Sequence, residues 1–237
     1  MSPELKEIVV SSKDEDSLIK LKSYYDNVFV HAFPNQDEIN TFEEMENFIR
    51  NKEDNTTYGK INLYEHDNQV VAGVVYDYFP DIRSIAIEFI AIDPNYRKYG
   101  IASQIFKQVI DEYLEQDLID YVFIEIEDPL KRSDNDDMSY LYFWSKHNFK
   151  KVEFTYIQPA ISNKRHVESL ILCVKQINDN KDIINKDIIK KFIHNYTECA
   201  VGVENPANNE DVLLMEKEID SVDQDHLELT NINIYKK

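Results

Sequence analysis

Apolar residues fall into short runs and helical periods that follow one another through most of the chain. Asp67 and Asn68 are a turn-prone pair between two apolar runs, which predicts a β-hairpin. Thr41 and Glu44 fit a capping box that opens a helix. The pattern predicts strands at Leu5–Val10, Ile61–Tyr64, Val70–Tyr76, Ser84–Ile92, Tyr121–Glu127, Lys151–Ile157 and Leu170–Val174. It predicts helices from Asp14 or Asp16 to about Ala32, after Thr41, at Ile101–Gln116 and at Ser139–His147. Hairpins early and interposed helices later are typical of a mixed α/β sheet.

A polar segment at Asn178–Lys186 separates these elements from a C-terminal extension. We therefore predict a core at residues 1–177 and an extension at residues 178–237. Two helical patterns follow in the extension, one from Ile188 to Tyr196 and one from Val212 to Val222, and a final alternating segment from Leu227 to Ile234 predicts an edge strand. Apolar stripes must be covered, so packing on the core is expected, although docking to a partner also explains them.

Composition narrows the function classes. The net charge of −19 over 237 residues argues against general nucleic-acid binding, which needs Lys and Arg to neutralise phosphate. It suits a cationic substrate, although solubility alone also explains it. No apolar run reaches about 18 residues and no secretion signal is present, so we expect a cytoplasmic protein without membrane attachment. The two cysteines and six scattered histidines predict neither a disulfide framework nor a metal site.

The most informative stretch is Ile85–Gln108, an apolar strand followed by a basic loop and a helix. The first amides of a helix lack intrahelical partners, and together with the helix dipole they form a site for phosphate. Arg97 and Lys98 add positive charge there, and Gly100, one of only four glycines, allows close approach of a ligand. A Walker lysine-serine pair and a three-glycine Rossmann pattern are both missing, which argues against a mononucleotide fold.

Arg97-x-x-Gly100-x-Ala102 resembles the Q/R-x-x-G-x-G/A signature of the GNAT acyltransferase superfamily. Further along, Phe143–Phe149 (FWSKHNF) is similar to the family's F-Y-x-K-x-G-F run. Trp144 in that run and the later segment Tyr156-Ile157-Gln158-Pro159 form a combination of motifs. This combination resembles a little-characterised bacterial branch of the superfamily with an F-W-x-K-x-G-F motif. Asn148 replaces the usual glycine, and asparagine tolerates the left-handed conformation that a helix end needs.

The resemblance implies a GNAT fold: a central, mixed but mostly antiparallel sheet of about six or seven strands, flanked by helices and here followed by a helical extension. It implies acetyl-coenzyme A (acetyl-CoA) as cofactor, with its pyrophosphate on the loop and its pantetheine arm along the strand backbone. The residues expected to bind it are Phe89, Ile90, Ala91, Ile92, Arg97, Lys98, Tyr99, Gly100, Ile101 and Ala102.

Acetyl transfer to an amine needs a base, and Glu88 is the first candidate because it stands alone in the apolar strand IAIEFIAI. A carboxylate among apolar neighbours tends to a raised pKa, which suits a base near neutrality. Family members often place a working glutamate on this strand, sometimes one pleat earlier, where this chain has Ala86. A structural ion pair or a solvent-facing position explains Glu88 equally well.

Glu125 and Glu127 share one face of the next strand, so we predict Glu125 as a second catalytic carboxylate and Glu127 as acceptor-binding. Polar positions on a half-exposed strand are the alternative. Many family members protonate the leaving thiolate with a tyrosine, but the aligned residue here is Trp144, so Tyr140 on the same helix face becomes the candidate acid. Tyr156 and Gln158 are expected to line the acceptor pocket.

The function expected from this resemblance is acetyl-CoA-dependent N-acetyl transfer by direct attack of a primary amine. The acceptor is a small molecule or a protein amine, and the protein is a monomer or a homodimer. The alternative is a non-catalytic acyl-CoA binding or sensing module that keeps the fold. A positioned base raises the rate of amine attack by roughly 10²- to 10⁴-fold. Measurable turnover with an amine therefore distinguishes an enzyme from a non-catalytic binding module.

Overall fold

The computed structural model describes residues 3–33, 39–52, 59–131, 139–160, 166–179 and 181–232. Contacts divide the chain into two compact units. The first unit contains Met1–Tyr78 and Ile87–Leu118, and the second contains Phe79–Ala86 and Ile119–Lys237. Each unit has its own strands, helices and apolar core.

The first unit is built on four strands in the order β1-β2-β3-β4. β1 pairs antiparallel with β2, and β2 with β3. The β2–β3 turn has positive φ at both Asp67 (49°) and Asn68 (61°), the conformation that two-residue hairpins favour, so the predicted hairpin is confirmed. The strands are β1 Lys6–Val9, β2 Lys60–His66, β3 Gln69–Phe79 and β4 Ser84–Ile92, the last of which begins in the second unit.

The helices of the first unit begin where the sequence places their caps. The Asp14 side chain accepts a hydrogen bond from the Asp16 amide, and Thr41 and Glu44 form the reciprocal bonds of a capping box at 2.7 and 3.2 Å. The helices are α1 Glu15–Tyr24, a π-helical segment Tyr25–Phe29, the short α2 Val30–Ala32, α3 Phe42–Lys52 and α4 Ile101–Leu114. The single helix predicted to Ala32 therefore changes to π geometry after Tyr24.

Gly73 on β3 makes room for a buried ring of α1. A Cβ at residue 73 would lie 2.7 Å from Cζ of Tyr24, whose side chain is fully buried. We expect Gly73→Ala to lower the free energy of unfolding by about 1–3 kcal/mol, because a packed ring cannot retreat easily. Urea unfolding measures this change. An unaltered midpoint would show that the Tyr24 ring of α1 does not pack tightly against residue 73 of β3.

The second unit holds five strands in the order β5-β7-β6-β9-β8, and every pairing among them is antiparallel. The strands are β5 Tyr121–Glu127, β6 Lys150–Val152, β7 Leu170–Gln176, β8 Ile183–Asn185 and β9 His226–Asn231. The helices of this unit are α5 Ser139–Lys146, α6 Lys186–Cys199 and α7 Glu210–Ser221. The described residues thus contain nine strands, more than the six or seven expected.

Residues 178–237, predicted as an extension, contribute β8, α6, α7 and β9 to this second unit. Phe192 of α6 stacks on Phe123 of β5 with ring centroids 4.1 Å apart, and both side chains are buried in one core. Met215 of α7 and Leu229 of β9 belong to the same core. A functional boundary after residue 177 stays a prediction.

Three predictions of local structure in this unit are wrong. The strand predicted at Lys151–Ile157 ends at Val152, and only Gln158 forms a later bridge, to Val167. The polar segment Asn178–Lys186 contains β8 rather than loop alone. The last strand is not an edge strand, because β9 lies between β6 and β8. Its predicted end at Ile234 falls outside the described residues.

Candidate active site

The loop between β4 and α4 is tightly folded and exposed. Asp93 opens a 3-10 turn at Pro94–Tyr96, and its side chain accepts a hydrogen bond from the Asn95 amide at 2.8 Å. Residues 97–100 follow and are exposed, and α4 begins at Ile101. The loop therefore presents its backbone to solvent directly before a 14-residue helix.

Gly100 is the N-cap of α4 and has φ of 81°. This left-handed conformation costs an ordinary L-residue about 1–2 kcal/mol, which explains a glycine here. Among the described residues no atom lies within 4 Å of the position that a Cβ at residue 100 would take. Its carbonyl accepts the Gln104 amide at 3.0 Å, while the first amides of the helix have no intrahelical carbonyl to bind. The cap is thus open to an anion.

Arg97 ties this loop to the end of β4. Its Nε donates to the Ile92 carbonyl at 3.1 Å, and both Arg97 and Lys98 stay exposed. Lys98 also has a positive φ, 69°. Two positively charged side chains therefore lie beside the N-terminus of α4, which is the positive end of its helix dipole. Both favour binding of a negatively charged group there.

Aromatic packing holds β4 where the predicted pantetheine strand runs. Phe89 lies 5.1 Å from Phe29 and 5.2 Å from Phe33 between ring centroids, both edge-on. Ala91 is buried in the core of the first unit, whereas Glu88 and Ile90 are half-buried. The π-helical segment supplies Phe29, and such segments occur frequently at functional sites.

In the second unit, three neutral donors surround the carboxylate of Glu125. The Tyr196 hydroxyl donates to Oε2 at 2.6 Å, Gln158 Nε2 donates to Oε2 at 3.0 Å, and the Tyr156 hydroxyl donates to Oε1. Burial raises the pKa of Glu125, and these hydrogen bonds oppose that shift without cancelling it. Burial, and then the neighbouring carboxylate, raise the pKa of Tyr156 well above its usual value.

A hydrogen-bonded C-cap ends α5 within the predicted family run. Asn148 has φ of 63°, and the Phe149 amide donates to the Trp144 carbonyl at 3.1 Å, the long bond of a Schellman C-cap. The predicted left-handed asparagine is therefore confirmed. The Tyr140 hydroxyl donates to the Glu127 backbone carbonyl at 3.2 Å, which places the candidate acid beside the end of β5.

The structure thus brings together Glu125, Tyr156 and Gln158, three residues that were predicted independently. Glu88 and the whole predicted cofactor set, Phe89 to Ala102, lie in the first unit. Sequence reasoning missed Tyr196, because it occupies the apolar stripe of α6 four residues after Phe192 and was assigned to packing. Its signal was the hydroxyl, since a buried tyrosine OH usually has a hydrogen-bond partner.

Two kinds of feature are absent from the part of the chain that the structure describes. Among the described residues, no group of three or more His, Cys, Asp or Glu side chains is arranged to hold a metal. None of the described helices has the length and apolar character that crossing a bilayer requires.

Residues 23–135 match the model of the acetyltransferase (GNAT) family. The chain carries a GNAT-family domain. The match spans the β4–α4 loop and Glu125, whereas the candidates Tyr140, Tyr156 and Gln158 lie beyond its end. The predicted family is confirmed, whereas membership of the F-W-x-K-x-G-F branch stays a prediction.

Solved GNAT structures share the fold of this domain. A GNAT-family acetyltransferase structure from Bacteroides thetaiotaomicron is 18% identical, with a TM-score of 0.59 over 84% of this chain and 99% of that one. The structure of Ard1 from Thermoplasma volcanium is 18% identical, with a TM-score of 0.50 over 76% and 100%. The PaiA N-acetyltransferase of Thermoplasma acidophilum, solved with coenzyme A, is 11% identical, with a TM-score of 0.50 over 73% and 99%.

These likenesses confirm the predicted class, a mixed α/β sheet with flanking helices in a GNAT fold. Because the sequence identities are low, these structural matches are evidence for the fold alone. No curated protein matches the sequence significantly.

Proposed function

We propose that this protein transfers an acetyl group from acetyl-CoA to a primary amine. The observation that carries the proposal is the cap of α4. A left-handed glycine, whose Cβ position is open space among the described residues, begins a 14-residue helix beside two exposed basic residues in a GNAT-family domain. Such a cap is suited to a diphosphate, because it combines unpaired amides, a helix dipole and positive charge.

The residues present fit acetyl-CoA. The amides of Gly100, Ile101 and Ala102 would take the pyrophosphate, and the backbone of β4 from Phe89 to Ile92 would take the pantetheine arm. Exposure of residues 97–100 supports this assignment, since a ligand reaches them from solvent. When bound, the thioester supplies the acetyl group and a thiolate leaving group. Backbone groups serve here whatever their side chains, so the apolar residues of β4 are no obstacle.

We assign Glu88 the role of general base. An amine with an ordinary pKa of about 10.4 is protonated in all but a few molecules per ten thousand at pH 7. Glu88 is half-buried on the same strand as the proposed pantetheine contacts, four residues before Ile92. It would accept the proton that the ammonium loses before attack on the thioester carbonyl. Tyr140 remains the proposed proton donor to the thiolate.

Glu88→Gln is expected to lower kcat by roughly 10²- to 10⁴-fold, because the amide keeps the shape of the carboxylate but cannot take a proton. Thiol release at saturating amine measures kcat, and calorimetry measures acetyl-CoA affinity, which should not change. Glu46→Gln, on the exposed pair with Arg50 in α3, is the control. The comparison covers about three pH units, from roughly pH 6 to pH 9. If Glu88→Gln is as active as wild type throughout this range, Glu88 is not the base.

The proposed activity is tested by titrating acetyl-CoA and then measuring thiol release with a panel of primary amines, including small molecules and peptides. Binding followed by amine-dependent release is the expected result. Binding without turnover on any amine would favour the non-catalytic acyl-CoA module. Failure to bind acetyl-CoA would overturn the proposal.

A further inference from the structure

The carboxylate of Glu125 is the meeting point of three separate segments of the second unit. β5 supplies Glu125, the segment after β6 supplies Tyr156 and Gln158, and α6 supplies Tyr196. Tyr156 is 4% exposed and Tyr196 is 6% exposed, so the two hydroxyls are held in fixed positions. The site is therefore built by packing rather than by mobile surface chains.

All the donors to this carboxylate within the described residues are neutral. An ionised carboxylate offers about four acceptor positions, and the three donors leave one of them on Oε1. No described lysine, arginine or histidine is among the groups that shift the pKa of Glu125. The negative charge is thus solvated by hydroxyls and an amide but has no positive partner in the described part of the chain.

Two other carboxylates of this protein have lysine partners. The buried Glu65 has Nζ of Lys20 at 3.0 Å and Nζ of Lys6 at 3.9 Å. Glu153 has Nζ of Lys151 at 2.9 Å. Glu125 keeps part of its surface accessible and has only neutral partners, which is the arrangement expected of a site whose cation arrives from outside.

We propose that Glu125 binds a positively charged group of the acceptor, an ammonium or guanidinium separate from the amine that is acetylated. The cation would donate a charge-assisted hydrogen bond to the open position on Oε1. The proposal rests on the proposed N-acetyl transfer and gives its substrate class: acceptors with two positive charges, such as polyamines or basic peptides. The net charge of −19 favours their approach.

This assignment also gives the C-terminal extension a part in recognition. Tyr196 belongs to α6, within residues 178–237, and its hydroxyl lies 2.6 Å from Oε2. Removal of that hydroxyl is expected to weaken the hold on Glu125 and to lower affinity for the doubly charged acceptor.

The test compares putrescine, spermidine and agmatine, which carry two or more charges, with butylamine, which carries one. Calorimetry on the full chain measures binding directly, and thiol release gives KM and kcat. Wild type is expected to bind the multiply charged probes about 10- to 100-fold more tightly than butylamine, the range of one charge-assisted hydrogen bond. Glu125→Gln should lose this preference while its acetyl-CoA affinity stays unchanged, since the proposed cofactor residues lie in the first unit.

Tyr196→Phe should reduce the preference by a smaller factor, whereas the control Tyr121→Phe, on the same strand as Glu125, should leave it intact. A wild-type preference close to one, or a preference that survives Glu125→Gln, would overturn the inference. Circular dichroism checks that the variants fold. If Glu125→Gln does not fold, the binding preference of Tyr196→Phe tests the inference instead. Direct binding keeps this result separate from the proposed activity, which fails only if acetyl-CoA does not bind or no amine releases thiol.

Discussion

Gly100→Asp is expected to weaken acetyl-CoA binding by at least about 100-fold while the domain stays folded. The variant places a carboxylate at the N-terminus of α4, where the pyrophosphate would bind, and two like charges at one cap repel each other strongly. Space is not the obstacle, since no described atom lies within 4 Å of the new Cβ. Aspartate also tolerates φ of 81° better than most residues do.

The matched control is Gly100→Asn, which has the same size and also accepts the left-handed conformation but carries no charge. Its affinity for acetyl-CoA should fall far less than that of Gly100→Asp. Calorimetric titration of both variants measures the difference, and circular dichroism confirms that each is folded. An aspartate variant that binds as tightly as wild type would show that the diphosphate lies elsewhere.

The second large effect concerns the packing of α6. Phe192 is 1% exposed and its ring lies 4.1 Å from Phe123, 5.4 Å from Tyr196 and 6.1 Å from Phe79. We expect Phe192→Ala to lower the free energy of unfolding by about 3–5 kcal/mol, because it removes a stacked ring and leaves a cavity. Urea unfolding of the full chain measures this loss.

Leu214→Ala provides the contrast, since Leu214 on α7 is 56% exposed and should change stability by less than about 0.5 kcal/mol. If Phe192→Ala were as mild as Leu214→Ala, then α6 would contribute little to the core of the second unit. We also expect Phe192→Ala to lose the preference for multiply charged acceptors, because Tyr196 stacks on the ring that this variant removes.

Elements whose cause is local could be predicted from the sequence. The turn at Asp67 and Asn68, the capping box at Thr41 and the cap at Gly100 each depend on a few adjacent residues with distinctive chemistry. The strand Ser84–Ile92 and the start of α4 at Ile101 were placed at their observed bounds. The phosphate loop was found for the same reason, since its glycine and its charges are contiguous.

Features that depend on distant partners could not be predicted. β8 is three residues long, lies within a polar segment and exists because β9 pairs with it, so no local pattern marked it as a strand. The change to π geometry at Tyr25–Phe29 has no local sequence mark. Tyr196 joins Glu125 across 71 positions, and helical periodicity shows only that its side chain is buried. The residue types around Glu125 were visible in the sequence, but their convergence was not.

The proposed function depends on the cap of α4, and a crystal structure of the protein with acetyl-CoA tests that cap most directly. We predict that pyrophosphate oxygens lie within about 2.7–3.2 Å of the amide nitrogens of Gly100, Ile101 or Ala102. A pyrophosphate bound away from these amides, or a cap closed by the chain itself, would contradict it.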